Sequence, residues 1–142
     1  MSQQKKKVLF LCTHNAVRSQ IAEGLLRSLY GKYYEVYSAG VDPYVVHYLA
    51  VEIMKEIGID ISKQTSKSIE EFRDTTFDVV VTVCDNARET CPFFPGKMVL
   101  HKGFDDPGLV QGNKEQRIRA FRTVRDQMKS WIEQTFGPVS FG

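Results

Sequence analysis

The sequence predicts a single α/β domain built on an open, doubly wound sheet of parallel strands. Three observations carry that expectation. Short apolar runs of strand length alternate along the chain with longer stretches whose apolar residues recur at helical spacing. The run 77–83 is almost unbroken in apolar character, as a central parallel strand covered on both faces requires. The first apolar run, 8–11, gives way within a few residues to a helix. That strand–loop–helix order places binding loops at the carboxyl ends of the strands, with right-handed crossovers between them.

Taken in order, Val8-Leu9-Phe10-Leu11 reads as the first buried strand, and Lys5-Lys6-Lys7 before it as a solvated tail. A helix follows over 19–30, with Ile21, Leu25 and Leu29 on one face, Ala22 and Leu26 beside them, and Gly31 ending it. Residues 34–38 form a second strand, turned at Ala39-Gly40, with Tyr33, Tyr34 and Tyr37 packing at its edge. After Pro43 the spacing predicts a helix to about Ile57 that buries Val46, Leu49, Ala50, Ile53 and Ile57, with Gly58 at its C′ position. A short helix fits 68–73, the central strand fits 77–83, and a shorter fourth strand fits 98–100. Asn113, with Gln116 three residues on, opens a long final helix. It turns Ile118, Phe121, Val124, Met128, Trp131 and Ile132 inward, and Gly137-Pro138 stops it.

Composition narrows the function classes. At 142 residues, the chain 1–142 is expected to be one domain with a real core. A net charge of +2 without a basic cluster beyond the lysine trio argues against nucleic acid as a partner. There is no leader-like or membrane-spanning apolar run, so a cytoplasmic protein without a membrane partner is expected. An odd count of three cysteines argues against a static disulfide framework and for thiols at work.

The chemistry concentrates between the first strand and the first helix, in Cys12-Thr13-His14-Asn15-Ala16-Val17-Arg18-Ser19. A strand-to-helix turn gathers free backbone N–H groups, which favour a tetrahedral oxyanion. The same field lowers the pKa of a cysteine placed there, so Cys12 is expected as thiolate nucleophile. Arg18 can grip two oxyanion oxygens with its planar fork. Ser19 can hydrogen-bond the sulfur, and Asn15 tolerates the left-handed backbone the turn requires. Cys84 also falls directly after a predicted strand, so Cys12 and Cys84 belong on the same sheet edge. Cys84 and Cys91 bracket a polar segment too irregular for zinc, and no metal is expected. Gly103-Phe104-Asp105-Asp106-Pro107 offers a carboxyl group aimed by the proline; taken alone it is equally a turn. His14 reads as an exposed loop side chain, and His47 and His101 as incidental.

The loop from Cys12 to Ser19 resembles the signature loop of the low-molecular-weight tyrosine phosphatase superfamily. Gln20-Ile21-Ala22-Glu23-Gly24 is similar to its thioredoxin-coupled arsenate reductase branch, since the phosphatases usually carry proline at the position of Gln20. The resemblance implies a four-stranded parallel sheet with helices on both faces, of flavodoxin-like architecture. It implies arsenate reduction, an arsenic detoxification, by a relay in which Cys12 is the nucleophile. Cys12–Cys84 and then Cys84–Cys91 disulfides follow. Asp106 is implied as general acid over Asp105. Residues 13–19 (Thr13, His14, Asn15, Ala16, Val17, Arg18 and Ser19) are implied as the oxyanion cradle. The implied partners are arsenate or phosphate and an external dithiol reductant, thioredoxin before glutaredoxin or glutathione, with a monomer expected and no cofactor. The alternative is a phosphatase that hydrolyses phosphate monoesters through a phosphocysteine at Cys12. Many relatives carry a second cysteine where Val17 stands, and that thiol is absent here. Some bind potassium through residues similar to Asn15, Glu23 and Ser38 plus an acidic side chain. Lys67 stands at that acidic position, so no potassium is expected.

Overall fold

The computed structural model describes residues 4–85, 89 and 91–137. Pro138 of the predicted helix stop, and residues 86–88 and 90 of the segment between the two later cysteines, lie outside the described residues. Strands β1 (Lys6–Cys12), β2 (Tyr34–Gly40), β3 (Val79–Thr82) and β4 (Met98–His101) form one parallel sheet in the order β2-β1-β3-β4. Helices α1 (Arg18–Tyr30), α2 (Tyr48–Lys55) and α3 (Lys114–Phe136) connect or follow them, with short 3-10 turns at Ile69–Phe72 and Pro107–Leu109.

Alternation along β1 divides the core. Val8, Phe10 and Cys12 join the larger apolar cluster with α1, α2 and α3 through Ile21, Leu25, Ile53, Phe121 and Met128. Leu9 and Leu11 point the other way, into a smaller cluster with Ile69, Phe77, Val80 and Phe94 that the 3-10 turn at Ile69–Phe72 covers. Helical segments therefore lie on both faces, unequally. Because both β1 and β3 are buried on both sides, their runs read as continuously apolar rather than alternating. Among the described residues no helix is long and apolar enough to cross a membrane.

Two sequence expectations need correction. Lys6 and Lys7 are not tail but the start of β1, paired with Tyr34 and Glu35, and the Lys7 amide donates to Asp78 Oδ2 at 2.8 Å. Lysine side chains can stay solvated while their backbone joins a ladder, so charge alone did not mark the strand's limit. The helix expected after Pro43 begins only at Tyr48. Ahead of it, the amides of Asp42, Tyr44 and His47 donate to the carbonyls of Thr13, His14 and Ala16, which holds 42–47 out of helix. Val46 is consequently half-buried, and Ile57, past the helix end, is exposed. His47 caps α2, its Nδ1 accepting from the Leu49 amide at 3.1 Å. Gly58 takes φ +80° just past that helix.

The final helix has the anticipated capping box: Asn113 accepts from the Gln116 amide, and the Gln116 side chain accepts from the Asn113 amide, both at 2.9 Å. Phe121, Val124, Met128 and Ile132 are buried, while Ile118 and Trp131 are half-buried. Arg125, absent from the sequence expectations, is also buried. It donates to the Ile53 carbonyl at 2.7 Å and to Glu56 at 2.8 Å, tying α3 to the end of α2. Tyr34 and Tyr37 pack on Phe136 and Phe77, and Tyr33 is exposed.

Candidate active site

The site is built where β1 ends. Cys12 is the last residue of β1 and Arg18 the first of α1, so the five residues between them must reverse the chain in a tight loop. Their carbonyls are all engaged. Those of Thr13, His14 and Ala16 accept from the 42–47 segment, that of Asn15 from Gln20 Nε2 and Ser66 Oγ, and that of Val17 from the Ile21 amide. In a trans peptide the N–H of the next residue points opposite to the carbonyl. The amides of His14, Asn15, Ala16, Val17 and Arg18 are thereby turned away from these partners, as an oxyanion cradle requires. Asn15 is the residue that makes the turn possible, with φ 50° and no exposure. Gly40 is required behind it: a Cβ there would stand 2.6 Å from the Thr13 carbonyl and 2.9 Å from the Asn15 nitrogen.

The surroundings of Cys12 follow from donor counting. Asn15 Nδ2 donates to Ser19 Oγ at 2.7 Å and to Ser38 Oγ at 2.9 Å. Ser19 Oγ lies 2.9 Å from Cys12 Sγ. Having accepted from Asn15, Ser19 has its single proton left for the sulfur, which suits a thiolate. Cys12 is buried and free, and it shares a cavity of about 30 Å³ with His14, Ala16, Val17, Arg18 and Asp106. His14 is half-buried rather than exposed, because its ring stacks on Tyr44 at 4.1 Å between centroids. Val17 is buried in the larger core cluster, an apolar occupant of the position where many relatives have a thiol.

Arg18 is 3% exposed and reaches four oxygens, on three residues, besides the loop. Both its terminal nitrogens bond the Glu89 carboxylate, Nη1 donates to the Phe104 carbonyl at 3.3 Å, and Nη2 lies 3.7 Å from Asp106 Oδ2. Burial works against the Arg18 charge. The hydrogen bond to Glu89 and the charges of Cys12, Asp106 and Glu89 outweigh it and hold the guanidinium above its ordinary pKa. Glu89 is shifted the other way. Burial pushes its carboxyl up, and the bonds from Arg18, the Asp85 amide and Thr13 bring it below the usual range. Asp106 has the extended backbone that Pro107 imposes, and its Oδ1 accepts from the Gly108 amide at 2.9 Å. Asp105 is exposed and does not line the cavity holding Cys12.

Cys84 and Cys91 form a disulfide, with Cα atoms 5.9 Å apart. Cys84 is fully buried just beyond β3; the register Leu11↔Thr82 and the Val83 amide bond to the Leu11 carbonyl set it beside the end of β1. Cys12 and Cys84 belong to the same core cluster, whereas Cys91 is only half-buried. The three sulfurs thus run from the buried loop at the end of β1 toward the half-buried Cys91. His101 pairs with Thr82, Oγ1 to Nδ1 at 2.7 Å. Sequence reasoning missed Glu89, and it missed the brace of Gln20, Gln64, Thr65 and Ser66 behind the loop. Both depend on segments distant in the chain, and no local spacing signalled either.

The residues expected beside a cation have protein partners in this structure. The Glu23 carboxylate already pairs with Arg27 at 2.7 Å and lies 3.6 Å from Lys67 Nζ, and it accepts from Ser38. Asn15 Oδ1, another candidate ligand oxygen, accepts from the Lys67 amide at 2.9 Å.

Comparison with known proteins places this geometry. The model of the low molecular weight phosphotyrosine protein phosphatase family matches residues 7–139. An arsenate reductase of Halalkalibacterium halodurans is 46% identical over 130 residues, covering 91% of this chain and 94% of that one. A solved arsenate reductase in the phosphate binding state superposes with a TM-score of 0.78 at 36% identity, over 95% of this chain and 99% of that one. A thioredoxin-dependent arsenate reductase of Corynebacterium glutamicum gives a TM-score of 0.66 at 32% identity, over 94% of this chain and 63% of that one. The chain belongs to the low molecular weight phosphotyrosine protein phosphatase family and is similar, along almost its whole length, to arsenate reductases.

Proposed function

We propose that this protein is an arsenate reductase working through Cys12, Cys84 and Cys91. The observation that carries the reading is the Cys84–Cys91 disulfide beside a free, buried Cys12 on one sheet edge, for which a plain phosphatase has no use. The Cys12 thiolate attacks arsenic of the bound oxyanion, an S–As bond forms, and one As–O bond breaks. The oxygen leaves as water, with Asp106 as proton donor. The Cys84 thiolate then attacks Cys12 sulfur. The S–As electron pair passes to arsenic, which departs as arsenite in the trivalent state, and Cys12–Cys84 is left as a disulfide. Cys91 thiolate attacks Cys84, expelling Cys12 thiolate and leaving Cys84–Cys91. An external dithiol protein of the thioredoxin class returns two electrons and two protons to that pair. The residues 13–19 cradle the oxyanion throughout, with Arg18 on two of its oxygens.

The test is NADPH consumption with thioredoxin and thioredoxin reductase, before and after adding arsenate. Arsenate-dependent turnover is the expected result. Its absence, with Cys12-dependent hydrolysis of a small aryl phosphate, overturns the reading in favour of the phosphatase, which the family membership itself favours as second reading. A single-domain monomer in the cytoplasm is part of the proposal, and a dimer's mass in sedimentation would contradict it.

Asp106→Asn is expected to slow the step that expels oxygen by about 10²–10⁴-fold, the range for a positioned general acid. The loss should be greatest for aryl phosphates with poor leaving groups. An equal loss for Asp105→Asn, or none for Asp106→Asn, removes Asp106 from the role. Because Lys67 and Arg27 already neutralise the buried Glu23, replacing sodium by potassium at equal ionic strength, hence equal screening, should leave the rate unchanged within about twofold. Strong activation by potassium contradicts that arrangement.

A further inference from the structure

The Glu89 carboxylate takes the fork of Arg18 that a bound oxyanion would use, outside the cavity that holds Cys12. Arg18 Nη1 donates to Oε1 and Nη2 to Oε2 at 3.2 Å, a two-pronged grip from a cation that is almost wholly buried. Thr13 Oγ1, from the first residue of the loop, donates to Oε2 at 3.0 Å, and the Asp85 amide donates to Oε1 at 2.8 Å. Four donors thus converge on one carboxylate, and Arg18 and Thr13 among them are residues the oxyanion itself would use. Glu89 also lies in sequence between the two half-cystines.

We infer that Glu89 is an internal stand-in for the oxyanion, occupying Arg18 while Cys84 and Cys91 are joined and yielding it to arsenate or phosphate when they are thiols. This role rests on the relay reading for its place in the reaction, although the contact itself does not. Arsenite leaves as a neutral acid near pH 7, which leaves the buried Arg18 facing the Cys12 sulfur and Asp106, whose Oδ2 is 3.7 Å away, with no close hydrogen-bonded anion. A buried guanidinium without a hydrogen-bonded anion is costly, and Glu89 reduces that cost. The disulfide closes a short ring that contains Glu89, so its effective concentration at Arg18 is high. Reduction opens the ring and lowers that concentration, and a multiply charged oxyanion with the loop amides behind it then displaces one carboxylate. The oxidised protein thereby refuses a second oxyanion until it has been reduced. Glu89 is a positioning and gating residue here, since it takes no part in bond making.

Inorganic phosphate tests this without turnover. Protection of Cys12 from iodoacetamide, read on its peptide by mass spectrometry, gives the phosphate affinity of the disulfide form and of the fully reduced form. The disulfide form should require at least about tenfold more phosphate for half-protection, a difference typical of a two-state ligand coupling. In Glu89→Gln, which keeps size and loses charge, that gap should shrink to less than about threefold by loss of the same coupling. Equal affinities in the two redox states of the parent protein overturn the inference with no variant needed, and a gap that persists in Glu89→Gln does so as well. A phosphate gap without any arsenate turnover sinks the relay reading and leaves the gate standing. Turnover without the gap does the reverse.

Discussion

Cys12→Ser is expected to abolish arsenite formation and aryl phosphate hydrolysis together, by at least about 10⁴-fold, as removal of a nucleophile does in other covalent mechanisms. The substitution changes one atom at a buried position packed in the larger core cluster, so the fold should tolerate it. Oxyanion binding should survive in the reduced protein, because the loop amides, Arg18 and Ser19 do not depend on sulfur. Ser19 can still donate, since its oxygen continues to accept from Asn15. The expected outcome is therefore a protein that binds phosphate and turns over nothing. Retained turnover would mean that the sulfur does not attack, and both covalent readings would fall at once. Phosphate binding with no turnover in either the parent protein or the variant would leave a non-catalytic oxyanion-binding module.

How much of this was legible in the chain depends on distance along it. Cys12, Asn15, Arg18 and Ser19 are read easily because strand, loop and helix are contiguous, and the loop's needs are local ones: a left-handed residue, a cation and a hydroxyl. The capping box of Asn113 and Gln116 is local in the same way. The start of α2 was not legible. Whether 42–47 coils or stays extended is decided by the carbonyls of a loop some thirty residues earlier, which outcompete helical bonding for its amides. Glu89 was hidden for a similar reason. In sequence it is one polar residue among several, and only the folded chain brings it against Arg18, from between the joined Cys84 and Cys91. Lys67 lies between these cases. Its charge could be set against Glu23 by resemblance, but its amide bond to Asn15 Oδ1, which braces the turn, could not.

Cys91→Ser should separate the two chemistries that share Cys12. Arsenate attack and the formation of Cys12–Cys84 need only the two inner thiols, so a single equivalent of arsenite per chain should appear at the parent rate. Turnover with thioredoxin should then stop. The physical reason is access: Cys12 and Cys84 are at most 2% exposed, and a protein dithiol cannot bring its sulfur in line with a disulfide buried between them. Cys91, half-buried, is the one partner through which the oxidised pair reaches the outside. Aryl phosphate hydrolysis requires no electrons, and the variant should retain it. The measurement is arsenite released against enzyme added, with and without reductase, beside hydrolysis of an aryl phosphate. Continued multiple turnover in Cys91→Ser would mean that an external thiol reaches Cys12–Cys84 directly, and the outward step of the relay would then be unnecessary. Loss of the first equivalent as well would place Cys91 earlier in the sequence than the buried geometry of Cys84 allows.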